Sequence, residues 1–188
     1  MKDWVNPANA LTSGNLAAGF VALILAAQGE FAWAAGMVGI AAACDAVDGI
    51  AARHGPSSSD GFGSDLDSLA DLVSFGAAPA LALYLASLHE VPILGIAACL
   101  CLLLCGAWRL ARYPLVSRTR SYVGLPIPPA GVTAALIAAV GPPVEIALSV
   151  TLALGVLMVS VIPFPTLFPA RRARHAAEQL EEAAARPD

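Results

Sequence analysis

Long apolar runs separated by short polar stretches are the dominant pattern of this chain. Asp, Glu, Lys and Arg are absent from residues 5–29, 72–89, 91–108, 121–144 and 146–170. About 20 apolar residues are enough for one helical membrane crossing. The pattern therefore predicts six spans, at residues 10–28, 32–53, 65–88, 91–112, 128–141 and 144–163. The fifth predicted span is the shortest, because prolines precede it and follow it.

Composition agrees with a membrane protein and leaves little room for anything else. The chain has 188 residues, of which 58% are hydrophobic and 13% are charged, whereas a soluble domain has about 25% charged residues. We expect an all-α integral membrane domain at residues 1–170 and a polar, Ala-rich cytosolic tail at residues 171–188. The net charge of -4, with only 10 Lys and Arg residues, argues against a nucleic-acid partner.

The distribution of charge predicts the orientation of the six spans. Lys and Arg in short loops remain on the cytoplasmic side of a membrane. With the N-terminus inside, all ten basic residues fall on the cytoplasmic side, and the outer connections contain only the acidic residues Glu30, Glu90 and Glu145. We therefore expect a multi-pass protein of the cell membrane with both termini in the cytoplasm.

Four carboxylates lie where the predicted spans meet the cytoplasm. Asp45 and Asp48 are three residues apart near the end of the second span, and Asp67 and Asp71 are four apart near the start of the third. These spacings place each pair on one helix face. Charged groups at the edge of a span are costly and usually functional, whereas a single Asp at a helix end, such as Asp65, simply faces water.

The four carboxylates predict a site for divalent cations. They would repel one another unless a positive charge lay between them, and carboxylate oxygens suit Mg²⁺ or Mn²⁺. Gly49 would allow close approach to a phosphate, and Arg53 would bind its oxygens in a bidentate manner. Two cations beside an arginine are typical of phosphoryl transfer.

The stretch from Asp45 to Asp71 resembles the signature of a known family. Its sequence, DAVDGIAARHGPSSSDGFGSDLDSLAD, is similar to the pattern DxxDGxxAR followed by GxxxDxxxD of the CDP-alcohol phosphatidyltransferases. Nine residues separate Arg53 from Gly63, where that family usually has seven or eight. The segment PANALTSGN resembles the PNxxTxxN pattern that members of this family carry at the first span. The segments DSLADLVSFGAAPA, WRLARY and GLPIPPAG further resemble the phosphatidylserine synthase branch, which is membrane-embedded in bacteria and archaea, and we expect a bacterial source.

The resemblance implies roles for individual residues. Asp45 and Asp67 would bridge two divalent cations, Mg²⁺ or Mn²⁺, Asp48 would complete one site, and Asp71 would complete the other and act as general base. The implied substrates are CDP-diacylglycerol and L-serine, and the products are phosphatidylserine and CMP. The contacts implied for CDP-diacylglycerol are Asn9, Thr12, Gly49, Arg53 and Ser59. By analogy with the family, a homodimer in the lipid bilayer is expected.

Two alternatives and two further residues remain open at this level. The same signature serves sibling enzymes whose acceptor is glycerol 3-phosphate or inositol phosphate. A cation transporter also uses carboxylates within the membrane, but it needs charged groups accessible from both faces. Arg109 and Arg112 either bind the serine carboxylate or a phosphate, or simply anchor the fourth span at the membrane surface.

Overall fold

The computed structural model describes residues 7–54, 62–116 and 124–160, and within these ranges every regular element is helical. A π-helix, Leu72–Ala77, joins α3 to α4, and a short 3₁₀ turn, Leu88–Glu90, precedes α5. The α-helices are α1 Pro7–Ala27, α2 Phe31–His54, α3 Phe62–Asp71, α4 Ala78–Ala86, α5 Pro92–Val116, α6 Ile127–Val140 and α7 Val144–Val159.

The six predicted spans correspond to six helical rods, because α3, the π-helix and α4 form one continuous rod. Within the described ranges, three helices are long and apolar enough to cross a membrane, over Asn9–Ala27, Phe62–Ala86 and Pro92–Arg112. Three shorter apolar helices accompany them, over Phe31–Val47, Ile127–Val140 and Val144–Val159. The predicted all-α class is thus confirmed for the described residues. Residues 161–163 of the last predicted span, and the predicted tail at 171–188, lie outside them.

Tight turns between successive rods make neighbouring helices run in opposite directions. Gly29 adopts a left-handed φ of 82° between α1 and α2, and Gly141 adopts a φ of 62° at the end of α6. Glycine takes this conformation at little steric cost. Ser87, just beyond α4, donates a hydrogen bond of 2.8 Å to the carbonyl of Pro142. The turn after α4 and the turn after α6 therefore lie together at one end of the bundle.

Small residues form much of the interior, and many large apolar residues face outward. The buried core contains many alanines, among them Ala22 in α1 and Ala41 in α2, both fully enclosed. Trp33, Ile93 and Val140 are instead among the exposed large side chains. Small residues let helix backbones approach closely where lipid gives no hydrophobic driving force. This arrangement suits a bundle whose outer surface meets hydrocarbon.

Candidate metal centre

Three of the four predicted carboxylates come together at one end of the bundle. Asp45 lies in α2, and Asp67 and Asp71 lie on one face of α3. One carboxylate oxygen from each residue lies within 4.8 Å of the other two. Asp71 is buried, with 6% of its surface exposed, while Asp45 and Asp67 are half-buried. The sequence prediction that these helices bring their acidic residues together is confirmed for these three side chains.

Helix α1 packs against the two helices that carry the carboxylates. A Cβ atom on Gly14 would lie 3.8 Å from the Sγ atom of Cys44, the residue before Asp45. A Cβ atom on Gly63 would lie 3.1 Å from the Oδ1 atom of Asn9. The backbone of α3 therefore approaches the first turn of α1 closely. This proximity gives the signature glycine Gly63 a structural reason, since any larger residue would press on Asn9.

The site includes a residue for which the sequence predicted no role, Asn15 of α1. Its side chain is completely enclosed, and its Nδ2 atom donates a hydrogen bond of 3.0 Å to Oδ1 of Asp71. The sequence signal was present, because an amide in the middle of an apolar run is costly unless it has a partner. Its partner, 56 residues away in the chain, became visible only in the folded bundle.

A π-helix begins directly after Asp71. Such turns, with one residue more than an α-turn, are rare and often lie at functional sites. Ser74 donates a hydrogen bond of 3.0 Å to the backbone carbonyl of Asn15. On the other side, a Cβ atom on Gly131 of α6 would lie 2.5 Å from the Cα atom of Phe75. The π-helix is thus held between α1 and α6.

The structure describes the remaining predicted site residues to different extents. Thr12 is buried and Asn9 is half-buried at the site end of α1. Gly49 and Arg53 lie on the last turns of α2, which follow Asp45 toward the same end. The side chains of Asp48 and Arg53 lie outside the described part of the chain, as does Ser59 altogether.

Arg109 and Arg112 lie at the end of α5 and differ in burial. The Nε atom of Arg109 is buried, whereas Arg112 is exposed. Trp108 beside them is also exposed, with 69% of its surface accessible, as expected for an aromatic residue at a membrane surface. An exposed arginine at a helix end suits anchoring, and the half-buried Arg109, with its buried Nε atom, is the better candidate for a contact within the bundle.

The donor set of the carboxylate cluster fits a hard divalent cation. All three donors are carboxylate oxygens, which Mg²⁺ and Mn²⁺ favour over the nitrogen and sulfur ligands typical of zinc sites. The cluster is partly withdrawn from water, so charges placed there interact more strongly than at a fully exposed surface. The arrangement is therefore a candidate centre for divalent cations.

Together, the apolar rods and the acidic cluster at one end define a helical, membrane-type protein with a candidate metal centre. Comparison with known families narrows this class. The family model for CDP-alcohol phosphatidyltransferase matches residues 5–163, which include every helix of the bundle. The chain therefore belongs to the CDP-alcohol phosphatidyltransferase family, as its signature predicted.

Several curated relatives share a large part of the chain. The CDP-diacylglycerol–serine O-phosphatidyltransferase of Bacillus subtilis (strain 168) is 39% identical over 138 residues, which cover 73% of this chain and 74% of the relative. The enzyme of the same name from Helicobacter pylori (strain 26695) is 33% identical over 168 residues, with 84% and 70% coverage. The archaetidylserine synthase of Methanothermobacter thermautotrophicus is 33% identical over 154 residues, with 80% and 66% coverage.

Proposed function

We propose that this protein transfers the phosphatidyl group of CDP-diacylglycerol to the hydroxyl of L-serine, giving phosphatidylserine and CMP. The observation that carries the proposal is the cluster formed by Asp45, Asp67 and Asp71, whose carboxylate oxygens lie within 4.8 Å of one another. Membership of the CDP-alcohol phosphatidyltransferase family supports the reaction class. The activities named for the relatives from Bacillus subtilis and Helicobacter pylori support serine as the acceptor.

The acidic residues would hold two divalent cations, Mg²⁺ or Mn²⁺. Asp45 and Asp67 would contact both cations, Asp48 would complete one site and Asp71 the other. When bound, the cations would offset the charge of the substrate diphosphate and stabilise CMP as leaving group. The oxygen-only donor set supports this assignment. The remaining roles, proton transfer and contacts with the substrates, are proposed for side chains of the protein.

Asp71 is the proposed general base. Its carboxylate would accept the proton of the serine hydroxyl as the serine oxygen forms a bond to the phosphorus of the phosphatidyl group. The bond between that phosphorus and the bridging oxygen breaks, and the oxygen leaves with CMP. The burial of Asp71 and its hydrogen bond to Asn15 support the assignment, because a proton acceptor works best when it is held in one orientation.

Substrate contacts are proposed around the cluster. Arg109 is the preferred partner for the serine carboxylate, because its Nε atom is buried while Arg112 is exposed. Residues proposed to bind CDP-diacylglycerol are Asn9, Thr12, Gly49, Arg53 and Ser59. The position of Asn9 against Gly63, near the start of α3, supports this role. Thr12 is buried about one turn further along α1. The nucleotide would then lie across the site end of α1 and α2.

The proposed topology is six spans with both termini in the cytoplasm and the site facing the cytoplasm. It is supported by the six apolar rods and by the position of the basic residues, which lie in alternate connections or on the helix ends beside them. Placement at the membrane surface suits the substrates, since serine and the nucleotide are soluble in water while the acyl chains remain in lipid. A polar tail at residues 171–188 and a homodimer remain parts of this proposal.

An acceptor assay tests the proposed function. Purified protein is incubated with CDP-diacylglycerol, Mn²⁺ or Mg²⁺, and one acceptor at a time, and the release of CMP is measured. We expect CMP release with L-serine and none with L-alanine, which has the same amino and carboxylate groups but lacks the hydroxyl nucleophile. Release with glycerol 3-phosphate or inositol phosphate, and not with serine, would replace the serine assignment by a sibling activity.

A further inference from the structure

Asn15 of α1 contacts both ends of the segment that leads from the acidic cluster into the π-helix. Its side-chain Nδ2 atom donates to Oδ1 of Asp71 at 3.0 Å. Its backbone carbonyl accepts the hydroxyl hydrogen bond of Ser74, also at 3.0 Å. Asn15 and Ser74 are both fully buried. One residue of α1 therefore fixes Asp71 and the residue three positions further along the chain.

The close approach of Ser74 to α1 depends on Gly19, four residues after Asn15. A Cβ atom on Gly19 would overlap the Oγ atom of Ser74 and would lie 2.7 Å from the Ser74 Cα atom. Residues four apart share one face of a helix, so Gly19 leaves open the surface beside the Asn15 carbonyl. Asn15 and Gly19 thus form the surface of α1 against which the first turn of the π-helix packs.

The chemistry of Asn15 suits the orientation of a cation ligand. The amide donates a hydrogen bond without adding a positive charge, so it orients the Asp71 carboxylate and leaves its negative charge for a cation. An arginine or lysine in the same place would form an ion pair with Asp71 and compete with the cation. Residues outside the ligand set that donate hydrogen bonds to ligands commonly tune metal affinity in this way.

The Oδ1 atom of the Asn15 side chain indicates that a contribution to folding stability does not by itself explain why asparagine occupies this position. Among the described residues, none donates a hydrogen bond to this Oδ1 atom, which is buried. A buried polar atom without a partner costs free energy of folding, and an apolar side chain of similar size would avoid that cost. A buried polar atom without a partner, kept at a cost in folding stability, is characteristic of functional positions.

We propose that Asn15 is a positioning residue for the reaction: it orients the Asp71 carboxylate for cation binding and proton transfer, and Ser74 holds Asn15 in place. The inference rests on the proposed function only in that Asp71 is a cation ligand and the general base. Neither Asn15 nor Ser74 needs to touch the substrate. The two residues act through one hydrogen-bonded chain, from the Ser74 hydroxyl through Asn15 to Asp71.

Cation affinity, measured without substrates, tests this inference directly. The full-length protein in detergent is titrated with Mn²⁺ alone, and free Mn²⁺ is followed by electron paramagnetic resonance. The variants are Asn15→Leu, which keeps the size of the side chain, the milder Ser74→Ala, and the double variant. The matched control is Ser87→Ala, which removes another buried serine hydrogen bond to a backbone carbonyl, at the opposite end of the bundle.

We expect Asn15→Leu to weaken Mn²⁺ binding and to lower kcat, each by about 10- to 100-fold, the range seen for residues that orient metal ligands. Ser74→Ala should cause a smaller loss of both. The double variant should be no worse than Asn15→Leu, because both changes break the same chain of contacts. Ser87→Ala should bind Mn²⁺ as the wild type does. Should Asn15→Leu fail to fold, Ser74→Ala against Ser87→Ala decides the question.

Wild-type Mn²⁺ affinity in both single variants would overturn the inference, as would losses that multiply in the double variant. An equal loss in Ser87→Ala would also overturn it, because the effect would then reflect general loosening of the bundle. The Mn²⁺ titration contains no substrates, so its result does not depend on which alcohol is the acceptor. A protein that used an acceptor other than serine and still lost Mn²⁺ affinity in Asn15→Leu would contradict the serine assignment and support the positioning role.

Discussion

Among single residues, Asp71 differs from the other acidic side chains of the site in its surroundings. It is buried while Asp45 and Asp67 are half-buried, and one of its oxygens accepts a hydrogen bond from the enclosed amide of Asn15. A carboxylate that is both shielded and oriented is suited to accept a proton from a bound alcohol.

The role of Asp71 predicts that Asp71→Asn separates catalysis from binding. The amide keeps the size of the side chain but loses the charge and the ability to accept the serine proton. We expect kcat for CMP release to fall by about 10²- to 10⁴-fold, the usual contribution of a general base. Binding of CDP, measured by isothermal titration calorimetry, should fall much less, because Asp45 and Asp67 remain.

Asp65 provides the matched control for this substitution. It is an exposed aspartate in the first turn of the same helix, and the cluster formed by the described residues does not include it. Asp65→Asn should leave both CMP release and CDP binding close to wild type. Equal losses of turnover and CDP binding in Asp71→Asn would contradict a role in proton transfer and leave Asp71 as a binding residue only.

How much of the site could be predicted depended on whether the signal was local. Asp67 and Asp71 are four residues apart, so helical periodicity alone places them on one face, and the short connection to α2 brings in Asp45. Asn15 was different. Its polarity within an apolar run was visible in the sequence, but nothing local identifies a partner 56 residues away. Long-range hydrogen bonds of this kind emerge only from packing.

At the scale of elements, the rods were predictable and the π-helix was not. Predicted spans at 32–53 and 128–141 correspond to helices Phe31–His54 and Ile127–Val140, because glycine or proline lies at the ends of both apolar stretches and interrupts a helix there. Leu72–Ala77 carries no pattern that distinguishes a π-turn from an α-turn. The additional residue in the turn is stabilised by contacts with α1 and α6, which a local pattern does not contain.

The packing of the π-helix predicts that Gly131→Ala destabilises the bundle. A methyl group there would lie 2.5 Å from both Cα and Cβ of Phe75 and 2.6 Å from its carbonyl oxygen. Since two of these atoms are backbone, the helices must separate, and overpacking of this kind costs about 1–3 kcal/mol. We expect a lower apparent unfolding temperature in detergent and a lower kcat, because the π-helix follows Asp71 directly.

Gly39→Ala is the matched control, since Gly39 lies within α2 and a Cβ atom there would have no neighbour within 4 Å. Alanine favours a helix over glycine by about 0.8–1.0 kcal/mol. Gly39→Ala should therefore unfold at the wild-type temperature or above it. An unchanged unfolding temperature in Gly131→Ala would mean that α6 and the π-helix separate without cost and do not hold Asp71 in place.

Considered as a whole, the molecule has two chemically different ends. The carboxylates, Asn9 and the arginines of α5 lie at one end, where α1 and α3 begin and α2 and α5 finish. The other end contains the turns at Gly29 and Gly141 and the link from Ser87 to Pro142. An active site at one end suits an enzyme that takes a lipid from the bilayer and a soluble acceptor from one side of it.

This polarity predicts which positions are accessible from outside the cell. Asp65 is exposed at the site end, and Glu90 is exposed at the opposite end. Because basic loops stay in the cytoplasm, the end with the carboxylates should face inward. We expect a membrane-impermeant maleimide to label Glu90→Cys in intact cells, and to label Asp65→Cys only after the membrane is permeabilised.

The wild-type chain gives the background for this labelling, since it has four native cysteines that are half-buried within the helices, Cys44, Cys99, Cys101 and Cys105. Glu145→Cys offers an independent repeat of the outer position, because Glu145 is exposed in the first turn of α7. Labelling of Asp65→Cys in intact cells, with protection of both outer positions, would show that the bundle has the opposite orientation in the membrane. The site would then face the outside of the cell, whereas the nucleotide-linked lipid substrate and free serine are available on the cytoplasmic side.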